Sequence, residues 1–534
     1  MSGVRARLTR GRIVLALREF RTARRARRVA RALPDDHAEF ARESHKLLRR
    51  VAAEHVFSRV AGASPSEGNS LRLLENGAEN YPAWLEAIAG ARRSIDLENY
   101  IIASDATGQR FRDALAERAR AGVRVRVLYD WLGCLTKTRP GFWRTLREAG
   151  GEVRCFNRPR LDSPFGWLSR NHRKSLNVDG AVGFVAGLCI GDVWVADPAR
   201  GREAWRDTGV EIRGPAVADL RVAFGQSWRF AGGEAAESEA AGEPGLAGEI
   251  ALRVIGSKPA TMGLYRFDQL IAALARRRLW LTDAYFVGTT AYVQALTDAA
   301  RDGVDVRLLV PGASDVPVAK ALSRAGYRGL LEAGVRVFEW DGPMLHAKTA
   351  VADGRWARIG STNLNLASWA GNWELDIAME DEGVAGQMER MFERDLGHAT
   401  EIVLDRKRVH AAEKRPGAPR RGSPGRIAAG AAGLGSTVGA AITNHRALGP
   451  AEAKVMAVGG VLLLGLALLG VFYPRVITLP LAALAVWVAA TLLLRAARLR
   501  GGGSRVADAA TAADPSPTRR LPREAVASSV DAND

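Results

Sequence analysis

The stretches His172-Arg-Lys174-Ser-Leu-Asn-Val-Asp179 and His346-Ala-Lys348-Thr-Ala-Val-Ala-Asp353 put the same three side chains in the same register, with Asp seven residues after His in both. A lone His-x-Lys carries little information. Its recurrence at one spacing predicts that the chain contains two copies of a single unit. Extending the register forward, Ala186-Gly187-Leu188-Cys189 stands opposite Gly360-Ser361-Thr362-Asn363.

The match also extends backward. Ala91-Arg-Arg-Ser-Ile-Asp-Leu leads to Tyr100-Ile-Ile, and Ala275-Arg-Arg-Arg-Leu-Trp-Leu leads to Tyr285-Phe-Val, each read as a helix end followed by a buried strand. Next come Ala121-Gly-Val-Arg-Val-Arg-Val-Leu and Asp302-Gly-Val-Asp-Val-Arg-Leu-Leu-Val, where Gly closes a helix and alternating Val opens a strand. Glu148-Ala-Gly before Val153 answers Glu332-Ala-Gly before Val335. Strands alternating with helices predict an α/β fold in which each copy is a mainly parallel, helix-covered sheet.

The domain plan that follows is a basic, helical N-terminal arm (1–69), a first half (70–230), an Ala/Gly/Glu-rich linker (231–249) and a second half (250–400). A basic Gly/Ala-rich connector (401–453), an apolar hairpin (454–495) and a disordered tail (496–534) complete it. The net charge is +18, and residues 1–31 hold eleven arginines against the single acid Glu19. More than half of the excess is therefore in one short segment, which disfavours a nucleic-acid cleft and suits either an anionic membrane surface or a solvated arm. The three cysteines, Cys134, Cys155 and Cys189, lack zinc or redox spacing and fit a reducing compartment.

Val455–Tyr473 and Val476–Leu494 are the long uncharged apolar runs, each near the ~20 residues that cross a bilayer core. Only Pro474 and Arg475 separate them, so they predict a transmembrane helical hairpin with both flanks on one side. Arg420, Arg421, Arg426, Arg446 and Lys454 before it, and Arg495, Arg498 and Arg500 after it, predict that those flanks and the preceding domain are cytoplasmic. No h-region of secretory length stands at the N-terminus, and export is not expected.

Two facing His-x-Lys pairs would offer two imidazoles and two ammoniums to one phosphate. One neutral imidazole can attack phosphorus, the other can protonate the leaving alcohol, and the lysines with Asn363 can hold the equatorial oxygens. Spacing leaves open which histidine does which. The histidines bring no His/Cys cluster with zinc-ligand spacing, so no metal is expected at them.

These residues resemble the phospholipase D superfamily, whose signature is H-x-K-x4-D followed by a G-S/G-x-N segment, once in each half. The resemblance to its bacterial cardiolipin synthase-like branch spans about residues 70–400. It includes Glu98-Asn-Tyr100-Ile-Ile, Asp105 with Gly108, Trp205-Arg-Asp207-Thr and Phe224-Gly-Gln-Ser-Trp228. It implies two α/β halves around one shared active site, a phosphohistidine intermediate and no cofactor. His172, Lys174, Asp179, His346, Lys348 and Asp353 would be catalytic, and Ser361 and Asn363 would bind substrate. Family order implies His172 as nucleophile and His346 as acid/base, with Asp207 orienting His172 and Glu374 orienting His346. Cys189 stands where the first motif ordinarily has Asn, so one phosphate-contacting amide is replaced by a weak donor.

The implied activity is phosphatidyl transfer between phospholipids at the cytoplasmic face of the bacterial inner membrane, with phosphatidylglycerol as substrate and phosphatidylethanolamine as a second donor. Water as acceptor would make the enzyme a phospholipase D. A nuclease of the superfamily and a non-catalytic membrane adaptor are further alternatives, the latter disfavoured because both His/Lys pairs are intact. Oligomeric state is not readable from the sequence.

Overall fold

The structure, a computed structural model, describes residues 54–159, 168–234, 244–404 and 467–511, together with 461, 464 and 465. The N-terminal arm up to residue 53, the middle of the linker (235–243) and most of the connector lie outside the described residues.

The first half contributes strands β1 (Ser66–Glu75), β2 (Ser94–Asn99), β3 (Arg124–Asp130), β4 (Glu152–Phe156), β5 (Ser175–Val178), β6 (Val182–Ala186) and β7 (Thr208–Arg213). The second contributes β8 (Ile250–Ser257), β9 (Arg278–Thr282), β10 (Asp305–Pro311), β11 (Arg336–Trp340), β12 (Thr349–Ala352), β13 (Trp356–Gly360) and β14 (Glu374–Glu380). A last strand, β15 (Ala399–Ile402), edges β11. All join one sheet in the order β15-β11-β10-β9-β12-β13-β14-β8-β1-β7-β6-β5-β2-β3-β4. Outward from the central β1/β8 seam the two halves follow the same strand order, so the duplication read from the sequence becomes a pseudo-twofold arrangement.

The sheet is not mainly parallel. Only β2–β3–β4 and β9–β10–β11 pair in parallel, and every other neighbouring pair is antiparallel. The reason is local. Asp179-Gly180 and Asp353-Gly354 all take left-handed φ values, between 56° and 67°, and turn β5 into β6 and β12 into β13. Asp-Gly is a favoured pair for such turns because Gly has no Cβ penalty there and Asp tolerates one. A turn this short can join only antiparallel strands.

Helices cover the strands where the heptad-like apolar spacing requires it. Asn76–Gly90 and Ala106–Arg120 bury Trp84, Ile88, Phe111 and Leu115 against β2, β3 and Phe184. Burying each such side chain contributes about 1.5–3 kcal/mol. In the second half Phe267, Ile271, Tyr292 and Leu296 play the same part.

The folded unit begins earlier than residue 70. Residues 54–61 are helical, Phe57 joins the second half's core, and Glu54 pairs with Arg253. It also extends past residue 400, because β15 pairs with β11 through Ile402.

The apolar C-terminus forms a separate unit. One helix, Pro474–Thr511, contains a stretch, Pro474–Leu493, with mean hydropathy 2.3, long and apolar enough to cross a bilayer. Most of the other run, Val455–Tyr473, lies outside the described residues. The helix continues past Gly501, where the sequence reading placed a disordered tail. Its last turns, Arg505 to Thr511, are rich in alanine, and extending an existing helix is far easier than nucleating a new one.

Asp179 and Asp353, expected at the catalytic centre, instead clamp backbone. Asp353 Oδ1 accepts N–H bonds from Arg277 (2.8 Å) and Arg278 (3.0 Å), and Oδ2 accepts one from Arg276 (3.0 Å). Asp179 does the same for Arg92, Arg93 and Ser94 at 2.7–2.8 Å. Each aspartate thus fastens its hairpin turn to the start of the neighbouring antiparallel strand, β9 or β2. Asp353→Ala should lower the unfolding free energy of the detergent-solubilised chain by about 2 kcal/mol, from lost amide partners and a left-handed alanine. Asp353→Asn should lose less, and an unchanged urea midpoint for the alanine variant would reject the clamp.

Candidate active site

Each histidine sits in an extended segment just before a strand, and each segment is pinned to the other half. His172 N–H donates to the Trp373 carbonyl (2.8 Å), and His346 N–H donates to the Arg206 carbonyl (2.7 Å). Parallel bridges Asn171–Trp373 and Arg206–Leu345 flank these bonds. The two His-x-Lys segments are thereby brought to one place across the seam.

The carboxylate partners cross over. His172 Nδ1 donates to Glu374 Oε2 at 2.9 Å, with the Ser361 carbonyl at 3.1 Å, and His346 Nδ1 donates to Asp207 Oδ2 at 2.7 Å. This reverses the sequence expectation, which paired Asp207 with His172 and Glu374 with His346. The physical reason is that β7 and β14 begin beside the facing half's histidine segment, so each carboxylate serves the imidazole of the other copy. Both carboxylates are fully buried.

Second hydrogen bonds fix the carboxylates. Ser361 Oγ donates to Glu374 (2.6 Å), as does Asn372 Nδ2 (3.1 Å). In the first half Gly187 stands where Ser361 does in the second, and a Cβ on Gly187 would lie 2.2 Å from Asp207 Oδ1. Asp207 is one methylene shorter than Glu374 and packs directly against that backbone. Trp194 Nε1 (3.2 Å) and the Thr208 amide (2.8 Å) supply its bonds instead.

Burial lowers the pKa of His172. It also lowers that of His346, to about 3, with the nearby Lys348 ammonium adding to the effect. Burial would raise Glu374 and Asp207, but the hydrogen-bonded imidazoles and the lysines hold both below the ordinary carboxylate range. Each pair is therefore neutral imidazole with carboxylate, Nδ1 carries the proton, and Nε2 is the nitrogen left for chemistry.

Lys174 and Lys348 are buried, which lowers both ammonium pKa values, Lys348 to about 8. Lys174 Nζ donates to the His172 carbonyl at 2.6 Å, and Lys348 Nζ donates to the His346 carbonyl. Tyr100 and Tyr285 are matched across the copies. Each ring lies under its lysine, at 5.2 and 5.9 Å, and edge-on to its histidine, at 4.9 and 5.9 Å. The sequence placed both tyrosines at matched points but read them as parts of apolar strands. Trp194 and Trp205, 5.7 and 5.9 Å from the His346 ring, come from the β6–β7 loop, which is longer than the β13–β14 loop of the other copy, so no repeat signal marks them.

Asn363 is buried with Oδ1 lacking a hydrogen-bond partner among the described residues, while Asp283 accepts the adjacent Leu364 amide at 2.8 Å. Cys189, at the matching place, packs into the first half's core, and burial raises its thiol pKa. Among the candidates, His172, Lys174, His346, Lys348, Asp207, Glu374 and Ser361 converge, Asn363 lies buried two residues beyond Ser361, and Asp179 and Asp353 remain at the hairpin turns.

The described family "Cardiolipin synthase, PLD-like domain" matches residues 84–190 and 270–396. Cardiolipin synthase A of Pseudomonas aeruginosa is 35% identical over 345 residues, covering 64% of this chain and 69% of that protein. The chain belongs to the cardiolipin synthase-like branch of the phospholipase D superfamily. A second branch member, cardiolipin synthase of Geobacillus thermodenitrificans, is 35% identical over 356 residues, 65% of this chain and 70% of that one. The phospholipase D-like fold is also seen in the phosphatidylserine synthase of Haemophilus influenzae Rd KW20, with TM-score 0.51 and 17% identity over 62% of this chain and 87% of that one.

Two measurements check this phospholipase D-like site. In double-mutant cycles on unfolding free energy, His172→Ala with Glu374→Ala should couple by about 1–3 kcal/mol, and His172→Ala with Asp207→Ala by under about 0.5. Equal coupling would refute the crossover. His346, near 6.5 when unfolded and about 3 when folded, binds its proton more readily in the unfolded chain. Its contribution to stability is full above about pH 6.5 and declines as pH falls toward 3, so the wild type should lose stability over that window more steeply than His346→Gln.

Proposed function

We propose that the chain is a phosphatidyltransferase that moves a phosphatidyl group between phospholipids through a phosphohistidine. The observation that carries this reading is the pair of imidazoles, each hydrogen-bonded at Nδ1 to the other half's carboxylate and each two residues from a buried lysine. Membership of the cardiolipin synthase-like branch supports phosphatidylglycerol as acceptor, with phosphatidylglycerol or phosphatidylethanolamine as donor.

In this mechanism the Nε2 lone pair of His172 attacks the donor phosphorus. A P–N bond forms, the P–O bond to the headgroup breaks, and the departing alkoxide takes a proton from His346 Nε2. The acceptor hydroxyl then gives its proton back to His346 Nε2 and attacks phosphorus, and the P–N bond breaks. The incoming anionic phosphodiester favours the imidazolium that His346 needs for the acid step, against the two lysines that disfavour it in the empty site. Lys174, Lys348 and Asn363 hold the equatorial oxygens. Ser361 assists through Glu374, and Asp179 and Asp353 act by fastening the strands that carry the histidines.

The chain has one described helix able to cross a bilayer. We place the enzyme at the bacterial inner membrane through a hairpin of that helix and the preceding apolar run, with the basic flanks and catalytic unit cytoplasmic. Water as acceptor would give phospholipase D hydrolysis from the same intermediate.

His172→Ala should abolish covalent labelling by a phosphorus-labelled phosphatidyl donor. His346→Ala should lose about 10²–10⁴-fold in turnover, and a nitrophenyl phosphatidyl ester, whose leaving group needs no proton, should partly rescue it. Rescue of His172→Ala alone would exchange the two roles. Chelators should leave transfer intact, since the lysines and Asn363 supply what a divalent ion would; complete loss restored by one added metal would contradict the mechanism.

A further inference from the structure

Phospholipid substrates are held in a bilayer, whereas both histidines are buried in the protein. Some surface beside the site has to meet the headgroup layer, and a surface suited to that task combines exposed apolar side chains with basic ones. The segment 131–147, which follows β3, has this composition. Leu132, Leu135, Lys137, Arg139, Arg144 and Arg147 are all exposed, and the segment contains no acid.

One carboxylate fixes its place. Asp130 Oδ1 accepts the Leu132 amide (2.8 Å), the Gly133 amide (3.1 Å) and the Arg170 guanidinium (3.2 Å), while Oδ2 accepts the Asn171 amide (2.9 Å). The start of the segment is thereby tied to the residue before His172. The short helix Trp131–Cys134 also closes against Tyr100, with a Cβ on Gly133 placed 2.3 Å from the Tyr100 carbonyl oxygen. The Tyr100 ring in turn lies 4.9 Å from that of His172.

The fold holds the leucines in solvent. They are 40% and 54% exposed and, three residues apart on one helical turn, share a face. Elsewhere in the segment Trp143 stacks on Tyr129 at 5.7 Å, Thr138 Oγ1 donates to the Ile102 carbonyl at 2.6 Å, and the Lys137 carbonyl accepts the Ser104 amide at 3.0 Å. These contacts fasten the backbone while both leucine side chains stay outside the core.

Exposed apolar side chains also stand near the second histidine. Val316 follows Asp315, which accepts the Tyr285 hydroxyl at 2.7 Å, and Leu366 follows Asn365, whose Nδ2 donates to the Tyr285 carbonyl at 2.9 Å. They are 43% and 41% exposed, and the Tyr285 ring lies 5.9 Å from that of His346. Single exposed leucines are ordinary on a protein surface. Apolar side chains placed beside both tyrosines that flank the histidines, with four cations and no acid on the Tyr100 side, mark an interaction surface.

We infer that the segment 131–147 docks the catalytic unit on an anionic phospholipid bilayer. Leu132 and Leu135 enter the headgroup layer, the cations meet lipid phosphates, and Val316 and Leu366 extend the apolar rim on the Tyr285 side. The inference rests on the phosphatidyltransferase reading and adds to it a contact made by the catalytic unit itself, beyond any attachment through the apolar C-terminus.

The test uses the full chain in proteoliposomes, so that attachment through the C-terminus is the same for every variant, and reads glycerol release from two donors. One is long-chain phosphatidylglycerol in the bilayer, and the other is dihexanoylphosphatidylglycerol as a dissolved monomer. Leu135→Asp combined with Lys137→Gln and Arg139→Gln should lose about tenfold or more on the bilayer donor and keep its rate on the dissolved one. Lys137→Gln with Arg139→Gln alone should make the bilayer rate less sensitive to salt than in the wild type. An equal loss on both donors would point to a damaged site and overturn the inference, as would an unchanged bilayer rate in the triple variant. If the wild type releases glycerol from neither donor, the phosphatidyltransferase reading itself fails. Hydrogen exchange then decides the surface separately: amides 135–139 should exchange more slowly in phosphatidylglycerol nanodiscs than in phosphatidylcholine nanodiscs, and equal rates would exclude anionic docking.

Discussion

Two buried imidazole–carboxylate pairs cross the seam between the halves, and the arrangement of everything around the site follows from them. Glu374 and Asp207 have no access to water, so each needs its histidine, and each histidine lies in the opposite copy. Removing one member of such a pair leaves a buried charge or an unsatisfied donor, which costs several kcal/mol. Neither half can hold a complete site alone. The same contacts that fix the tautomer for chemistry also fasten the two halves to each other.

The sheet prepares that crossing. Pairing of β1 with β8 puts equivalent strands at equal distances from the seam, and β7 and β14 deliver their carboxylates from matching places. The Asp-Gly turns behind the histidine strands are tied by Asp179 and Asp353 to β2 and β9, which limits how far those strands can shift. Small backbone details then separate the copies. Gly187 allows the shorter Asp207 to approach, and Trp194 donates to it, whereas Ser361 donates to the longer Glu374.

The pseudo-symmetry is therefore strict at the reacting atoms and relaxed around them. Both imidazoles are held at Nδ1 by a carboxylate from the other half, which leaves Nε2 of each free for the two different roles of the proposed mechanism. Around them the copies differ: the short helix Trp131–Cys134 closes against Tyr100 in the first half, and Cys189 stands where the second half has Asn363. Duplication kept an imidazole, a carboxylate and a lysine in both copies, while the residues around them diverged.

Much of this was legible along the chain. The repeat, the four His and Lys positions, the concentration of charge in residues 1–31 and an apolar helix long enough to cross a bilayer all follow from order, spacing and composition, which belong to the contiguous sequence. The antiparallel hairpins are also written there, as Asp-Gly pairs, whereas helix–strand alternation by itself predicts parallel pairing. Tertiary structure alone decided which carboxylate serves which histidine, because His172 and Glu374 are 202 residues apart and His346 and Asp207 are 139 apart. It likewise moved Asp179 and Asp353 from the reacting centre to the backbone. Spacing specifies what each segment can become, whereas partners across a seam depend on how two folded halves dock, and no local pattern encodes that.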